Sequence, residues 1–200
     1  MKNSLKAIVA VVLLFSATLS ANAQFDNNRV TKRFHFGIRG GFTVNSWRGD
    51  VPDYVESLAF PTGGFAFDFQ LAPVPVFLGF GLNYMNEGFK YKKGDDTENA
   101  SAIHMPLVFG YHFNVAPNLF VSPYMGSFMS YCVDDDNYVV GDDQFNYGLR
   151  FGCGLNFGRL TFDMAYDLGL KNFGDDDYYD ADIHSGTFFV TIGYNIAGER

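Results

Sequence analysis

Eight stretches of this chain alternate apolar with small or polar residues at period two, and nothing else in the sequence restricts the fold as much. The stretch Gly158 to Asn172, GRLTFDMAYDLGLKN, shows the pattern at its longest. Leu160, Phe162, Met164, Tyr166, Leu168 and Leu170 are apolar, while Arg159, Thr161, Asp163, Ala165, Asp167 and Gly169 fill the alternate places. A helix would scatter those apolar residues over every side, whereas a strand gathers them on one face. Asp163 and Asp167 therefore share the opposite face of a strand, and a helical pair of metal ligands is excluded.

Seven further stretches repeat the alternation. Their apolar sets are Phe34 to Val44, Phe65 to Leu71, Val76 to Tyr84, Ile103 to Phe113, Leu119 to Tyr131, Phe145 to Leu155 and Phe188 to Ile196. The connections between the eight run roughly 14, 4, 12, 5, 12, 2 and 11 residues, strictly long then short. Long and short connections then lie at opposite ends of an up-and-down meander. Pro106 and Pro123 fall inside strands and, lacking an N–H, call for bulges or irregular pairing.

Volume decides which face points inward. The apolar faces carry more than about forty mostly bulky side chains, and an eight-stranded barrel has no room for them inside. The other face is rich in glycine, including Gly37, Gly41, Gly79, Gly81, Gly110, Gly126, Gly148, Gly152 and Gly154, with a few charges. A soluble, ligand-holding barrel with its apolar face inside is thereby excluded. The bulky face must meet lipid, and it carries no Asp, Glu, Lys or Arg in any of the eight stretches. The expected fold is all-β: an eight-stranded antiparallel up-and-down transmembrane β-barrel, integral to a bacterial outer membrane.

The N-terminus agrees. Lys2 and Lys6 precede an apolar run from Ala7 to Leu19, and Ala21 and Ala23 supply small residues at a cleavage site. Residues 1–23 read as a secretory signal peptide and residues 24–200 as the barrel domain. Without Lys2 and Lys6, 12 of the 14 basic residues remain against 22 acidic ones, a net charge of −10 that disfavours nucleic acid as a partner. Cys132 and Cys153 lie about nine residues apart along a hairpin, roughly 30 Å, so two free thiols are expected.

Several segments resemble the PorT-like family of bacterial outer-membrane β-barrels. They are FGIRGGFTVN in the first strand, GLNYMNEGFKY in the third, IHMPLVFGYHF in the fourth and VSPYMG in the fifth. The resemblance covers nearly all of the mature chain. It implies an integral outer-membrane barrel without an assigned enzymatic activity, in a family some of whose members serve protein secretion and gliding machinery.

Candidate chemistry falls into three groups. A two-residue turn at Phe157–Gly158 would set Arg150 opposite Ala165, diagonally between Asp163 and Asp167. These three, joined by Arg39 and Asp68, are expected to form an interior polar network; a proton or ion path is its functional alternative. Acidic clusters at 94–98, 134–143 and 174–182 fall in the long connections, and none has calcium-loop spacing. They read as a solvated extracellular contact surface, with divalent bridging to lipopolysaccharide phosphates as a hypothesis. His104 and His112 read as lumen packing, and His184 stands beside Asp182 and Ser185 without the geometry of a triad.

The expected function is a non-enzymatic structural or interaction module. Its partners would be outer-membrane lipid, lipopolysaccharide, and proteins at the extracellular or periplasmic face. No catalytic residues, metal ligands or cofactor are assigned. Two alternatives stand beside it: a component of a secretion or gliding apparatus, and an outer-membrane lipid hydrolase or acyltransferase.

Overall fold

The computed structural model describes residues 34–50, 55–71, 74–91, 97–133, 144–173, 175–176, 179–180 and 182–197. Residues 1–23, expected to be a signal peptide, and the acidic cluster at 134–143 lie outside them, as do residues 94–96, 174, 177–178 and 181 of the other two acidic clusters. Eight long strands form the wall: β1 Phe34–Gly49, β2 Leu58–Leu71, β3 Val76–Tyr91, β4 Thr97–Tyr111, β5 Leu119–Cys132, β6 Phe145–Phe157, β7 Leu160–Gly169 and β8 Ile183–Ala197. Each pairs antiparallel with its sequence neighbours, and β1 pairs with β8 from Phe36–Ala197 to Gly49–Ile183, which closes the sheet into a barrel. Closure leaves no open edge, the condition for a sheet in lipid.

The short connections that follow Leu71, Ala116 and Phe157 share one end of the barrel with the start of β1 and the end of β8. The connection from the fourth to the fifth strand is shorter than the spacing predicts. Phe113–Ala116 continues the pairing with β5, leaving Pro117 and Asn118 as the turn. Asn118 adopts a φ of 64° there. Proline followed by a left-handed asparagine is a combination that type II turns favour.

Of the bulge or irregular pairing that the sequence suggested for the two prolines, the structure shows irregular pairing. Between β3 and β4 the ladder lapses at Gly81–Pro106 and Leu82–Met105, then resumes at Asn83–His104 in the same register. Between β4 and β5 it lapses from Tyr111–Pro123 to His112–Ser122 and resumes at Phe113–Val121. Each proline keeps its place in the ladder on its other side, opposite Phe128 and Cys153 respectively. The missing N–H costs a local pair and leaves the register untouched. A register shift does occur in β1, at Phe36–Gly37.

The outer face is the apolar one. Phe42 and Ile192 are 64% and 63% exposed, and the alternating Phe, Leu, Met and Tyr of every strand are exposed beside them. Such a surface is stable only against hydrocarbon. The inner face is less uniformly small than its glycines suggest, because Phe77, Phe128, Phe189, Met85 and Tyr124 also point inward. Large side chains and glycines interlock. A Cβ on Gly110 would stand 2.5 Å from the Phe77 ring, one on Gly148 2.7 Å from Phe128, and one on Gly152 2.3 Å from Tyr124. Real Cβ atoms do not approach so closely, so these glycines are the counterparts of the interior aromatics.

The wall is of uneven height. β1 and β3 have 16 residues each, whereas β7 has 10. A tilted strand needs about 9–11 residues to cross the hydrocarbon, so β7 just suffices and β1 and β3 continue beyond it.

Candidate functional site

The interior polar site is built around the β6–β7 hairpin. Its turn is Gly158–Arg159, one residue later than the Phe157–Gly158 turn that the sequence suggested, because Gly158 takes a φ of +55°. Glycine with positive φ in the first loop position is the type II′ preference, which matches the twist of the flanking strands. The shift moves every cross-strand partner by two. Arg150 therefore lies opposite Asp167 rather than Ala165, and Asp163 opposite Gly154 rather than Gly152. An even shift leaves every side chain on its expected face.

Arg150 Nη1 donates to both oxygens of Asp167, at 2.9 and 3.0 Å. His104 Nε2 stands 3.2 Å from Arg150 Nη1 and 3.2 Å from Asp167 Oδ2. That nitrogen accepts from the arginine in one tautomer or donates to the carboxylate in the other. The Arg150 guanidinium lies 4.3 Å over the Phe189 ring, and His104 packs between Phe128 and Phe189 at centroid distances of 5.3 and 5.1 Å. All three polar groups are buried, with Asp167 at 2% exposure and His104 at 1%. An ion pair so desolvated needs this full set of partners to persist.

The other three candidates occupy the adjoining space. Tyr124 donates its hydroxyl to Asp163 Oδ2 at 2.7 Å. Arg39 lies against Gly193, whose Cβ would meet its Cδ at 2.5 Å. Asp68 stands opposite His35 across β1 and β2, with Oδ1 at 3.1 Å from where a Cβ of Gly79 would be. Arg39, Asp68, Arg150 and Asp163 all line one cavity of about 90 Å³. Arg150 and Asp167 form a direct ion pair; where the sequence suggested a diagonal contact between Arg150 and Asp163, Tyr124 packs over Gly152.

Three participants were absent from the sequence candidates for this network: His104, Tyr124 and Glu87. Glu87 accepts from Ser130 at 2.7 Å nearer the long connections. Strand parity was the available signal, since Glu87 shares the inward set of Met85 and Tyr124 that of Phe128.

Hydrolytic chemistry finds no assembled machinery among the described residues. His112 Nδ1 lies 2.8 Å from Ser122 Oγ, but Asn156 Nδ2 donates to that same oxygen at 2.8 Å, and His112 is oriented by stacking on Phe77 rather than by a carboxylate. His184 Nε2 pairs with Asp182 at 2.9 Å while its Nδ1 contacts Lys171 O at 2.8 Å. Ser185 turns inward instead and accepts from Asn146 at 3.0 Å. Cys132 and Cys153 are not joined by a disulfide; Cys153 is level with Pro123, nine residues from Cys132 along β5. Among the described residues no group of three His, Cys, Asp or Glu side chains converges as a metal site.

Comparison with known proteins agrees with the architecture. Residues 22–175 match the family model described as outer membrane protein beta-barrel domain. Among solved structures, OprG from Pseudomonas aeruginosa is similar at 15% identity and a TM-score of 0.52, covering 84% of this chain and 98% of its own. Ail of Yersinia pestis aligns at 13% identity and a TM-score of 0.43, in a structure with the heparin analogue sucrose octasulfate, over 82% of this chain and 100% of its own. OmpW of E. coli aligns at 13% identity and a TM-score of 0.41, over 83% and 100%. A search of curated proteins finds no match.

Proposed function

The chain belongs to the outer-membrane β-barrel domain family, and from that premise we propose that it is a non-enzymatic structural and interaction module of the bacterial outer membrane. The observation that carries this reading is the occupied lumen. Arg150, Asp167, His104, Phe128 and Phe189 fill the middle of the barrel in mutual contact, which disfavours a solute channel. With the lumen filled, the surfaces left for activity are the lipid face and the two ends. The acidic, tyrosine-containing long connections supply the contact surface, toward lipopolysaccharide or a protein partner, and residues 1–23 direct export. A role in a secretion or gliding apparatus is a second reading, supported by the resemblance of FGIRGGFTVN, IHMPLVFGYHF and VSPYMG to PorT-like barrels.

Two measurements test the proposal. Purified barrel in planar lipid bilayers is expected to give no steady conductance; regular open-channel steps would overturn the module reading in favour of a pore. Replacing the aspartates of 134–143 and 174–182 by asparagine is expected to abolish Mg²⁺- or Ca²⁺-dependent binding of lipopolysaccharide vesicles, or binding of a co-purifying partner, with the barrel still heat-modifiable on a gel. Binding unchanged in that variant would remove the loops as the contact surface.

A further inference from the structure

The cavity beside the ion pair has an unresolved polar account. Arg39 Nη1 is shut off from solvent and has no hydrogen-bond partner. A buried guanidinium N–H without an acceptor costs on the order of 1–3 kcal/mol, more when the group is charged. Asp163 stands on the same cavity wall and receives one hydroxyl, from Tyr124, on Oδ2. Its other oxygen, Oδ1, faces Gly154, at 3.3 Å from where a Cβ would sit. The lining of the space is mixed: Thr62, Asn83, Thr161 and Thr191 supply polar groups beside Arg39 and Asp163, and apolar side chains such as Phe77 and Val108 make up the rest. Arg150 and Phe189 bound it toward the long connections, and Ser122 and Asn156 toward the tight turns.

We propose that this cavity is a water-binding site, whose bound waters bridge Arg39 Nη1 to the Asp163 carboxylate. About 90 Å³ accommodates on the order of three to six waters. A water held by a guanidinium, a carboxylate and a threonine hydroxyl has the two to four polar partners that retain it. A direct side-chain contact is not required of either charge, since a bridging water is nearly as favourable as a direct bond. Arg39 then joins the Arg150–Asp167 layer through solvent, and the barrel interior divides into a dry aromatic layer and a hydrated chamber beneath it. Water fits the site better than a small anion, because Asp163 and Asp68 line the same wall as the two arginines.

Water-to-protein cross-relaxation in the NMR spectrum of the full barrel in detergent micelles tests this directly. The wild type is expected to show long-lived water contacts to the methyl groups of Ala66, Thr62 and Thr191, which line the chamber. The cavity-filling variant Ala66→Leu should lose them, and Arg39→Met should weaken them several-fold. Absence of water contacts at these methyls in the wild type means a dry cavity and overturns the proposal, whether or not either variant folds. Undiminished contacts in a folded Arg39→Met barrel would equally overturn it, because the waters would then not serve the arginine.

Discussion

Arg150 and Asp167 face each other directly across β6 and β7, and one guanidinium nitrogen reaches both carboxylate oxygens, at 2.9 and 3.0 Å. Both side chains are buried, so each depends on the other for most of its charge compensation. Arg150→Ala is expected to lower the melting temperature of the detergent-solubilised barrel, with a loss of about 3–5 kcal/mol for breaking a buried pair. The double variant Arg150→Met, Asp167→Leu should recover most of that loss, since an apolar pair leaves no orphaned charge. Heat-modifiable gel migration against temperature reads both, and an unchanged midpoint in Arg150→Ala would refute the pair's structural role.

Gly152 and Tyr124 form a second dependent pair. A Cβ at Gly152 would stand 2.3 Å from the tyrosine ring, so Gly152→Val must displace Tyr124 and its bond to Asp163. Overpacking of this kind costs about 1–3 kcal/mol. Adding Tyr124→Ala to Gly152→Val should relieve the clash, and thermal unfolding of the single and double variants will show effects that do not add.

The outer belt admits no charge near its middle. Phe151 lies at the centre of β6 and is 41% exposed on the lipid face. Phe151→Lys is expected to cost about 2–4 kcal/mol in folding into lipid vesicles. The neighbouring inward positions already hold Arg150 and Gly152. Equal folding of Phe151→Lys and wild type would mean that the assigned face is wrong.

The β6–β7 turn depends on one backbone angle. Gly158 has a φ of +55° with no side-chain obstruction around it, so the effect of Gly158→Val is one of conformation alone. A cost of about 1–2 kcal/mol follows from forcing a side chain into the left-handed region. Asn118→Gly, at the other positive-φ turn residue, should be neutral or nearly so. Urea unfolding in micelles distinguishes the two.

Strand number, direction and facing were legible in the sequence because period two is a local signal repeated eight times. Register was not fully legible. It hinges on which residue of Phe157, Gly158 and Arg159 begins the turn, and that is set by a φ angle rather than by hydrophobicity. The inward aromatics were concealed for a related reason. Phe77 and Phe189 each adjoin an outward apolar residue, Leu78 and Phe188, so alternation blurs where both faces are greasy. Arg150, Asp163 and Asp167 were recognisable as interior residues from parity. Which carboxylate takes the arginine followed only once the turn was placed. His104 joins them from β4, and no short-range pattern links residues 46 positions apart.

The uneven strand lengths give the molecule a front and a back. Leu168 of β7 is level with Gly186 of β8 and Ser46 of β1. β7 stops one residue further on, at Gly169, and β1 three, at Gly49, so the rim stands two residues higher at β1, about 7 Å along the strand. A neighbour drifting in the crowded plane of the outer leaflet meets a taller run of the main sheet at β1 than at β7. The same barrel thus presents two different heights to the cell surface, and its orientation about the membrane normal decides which of them a partner encounters.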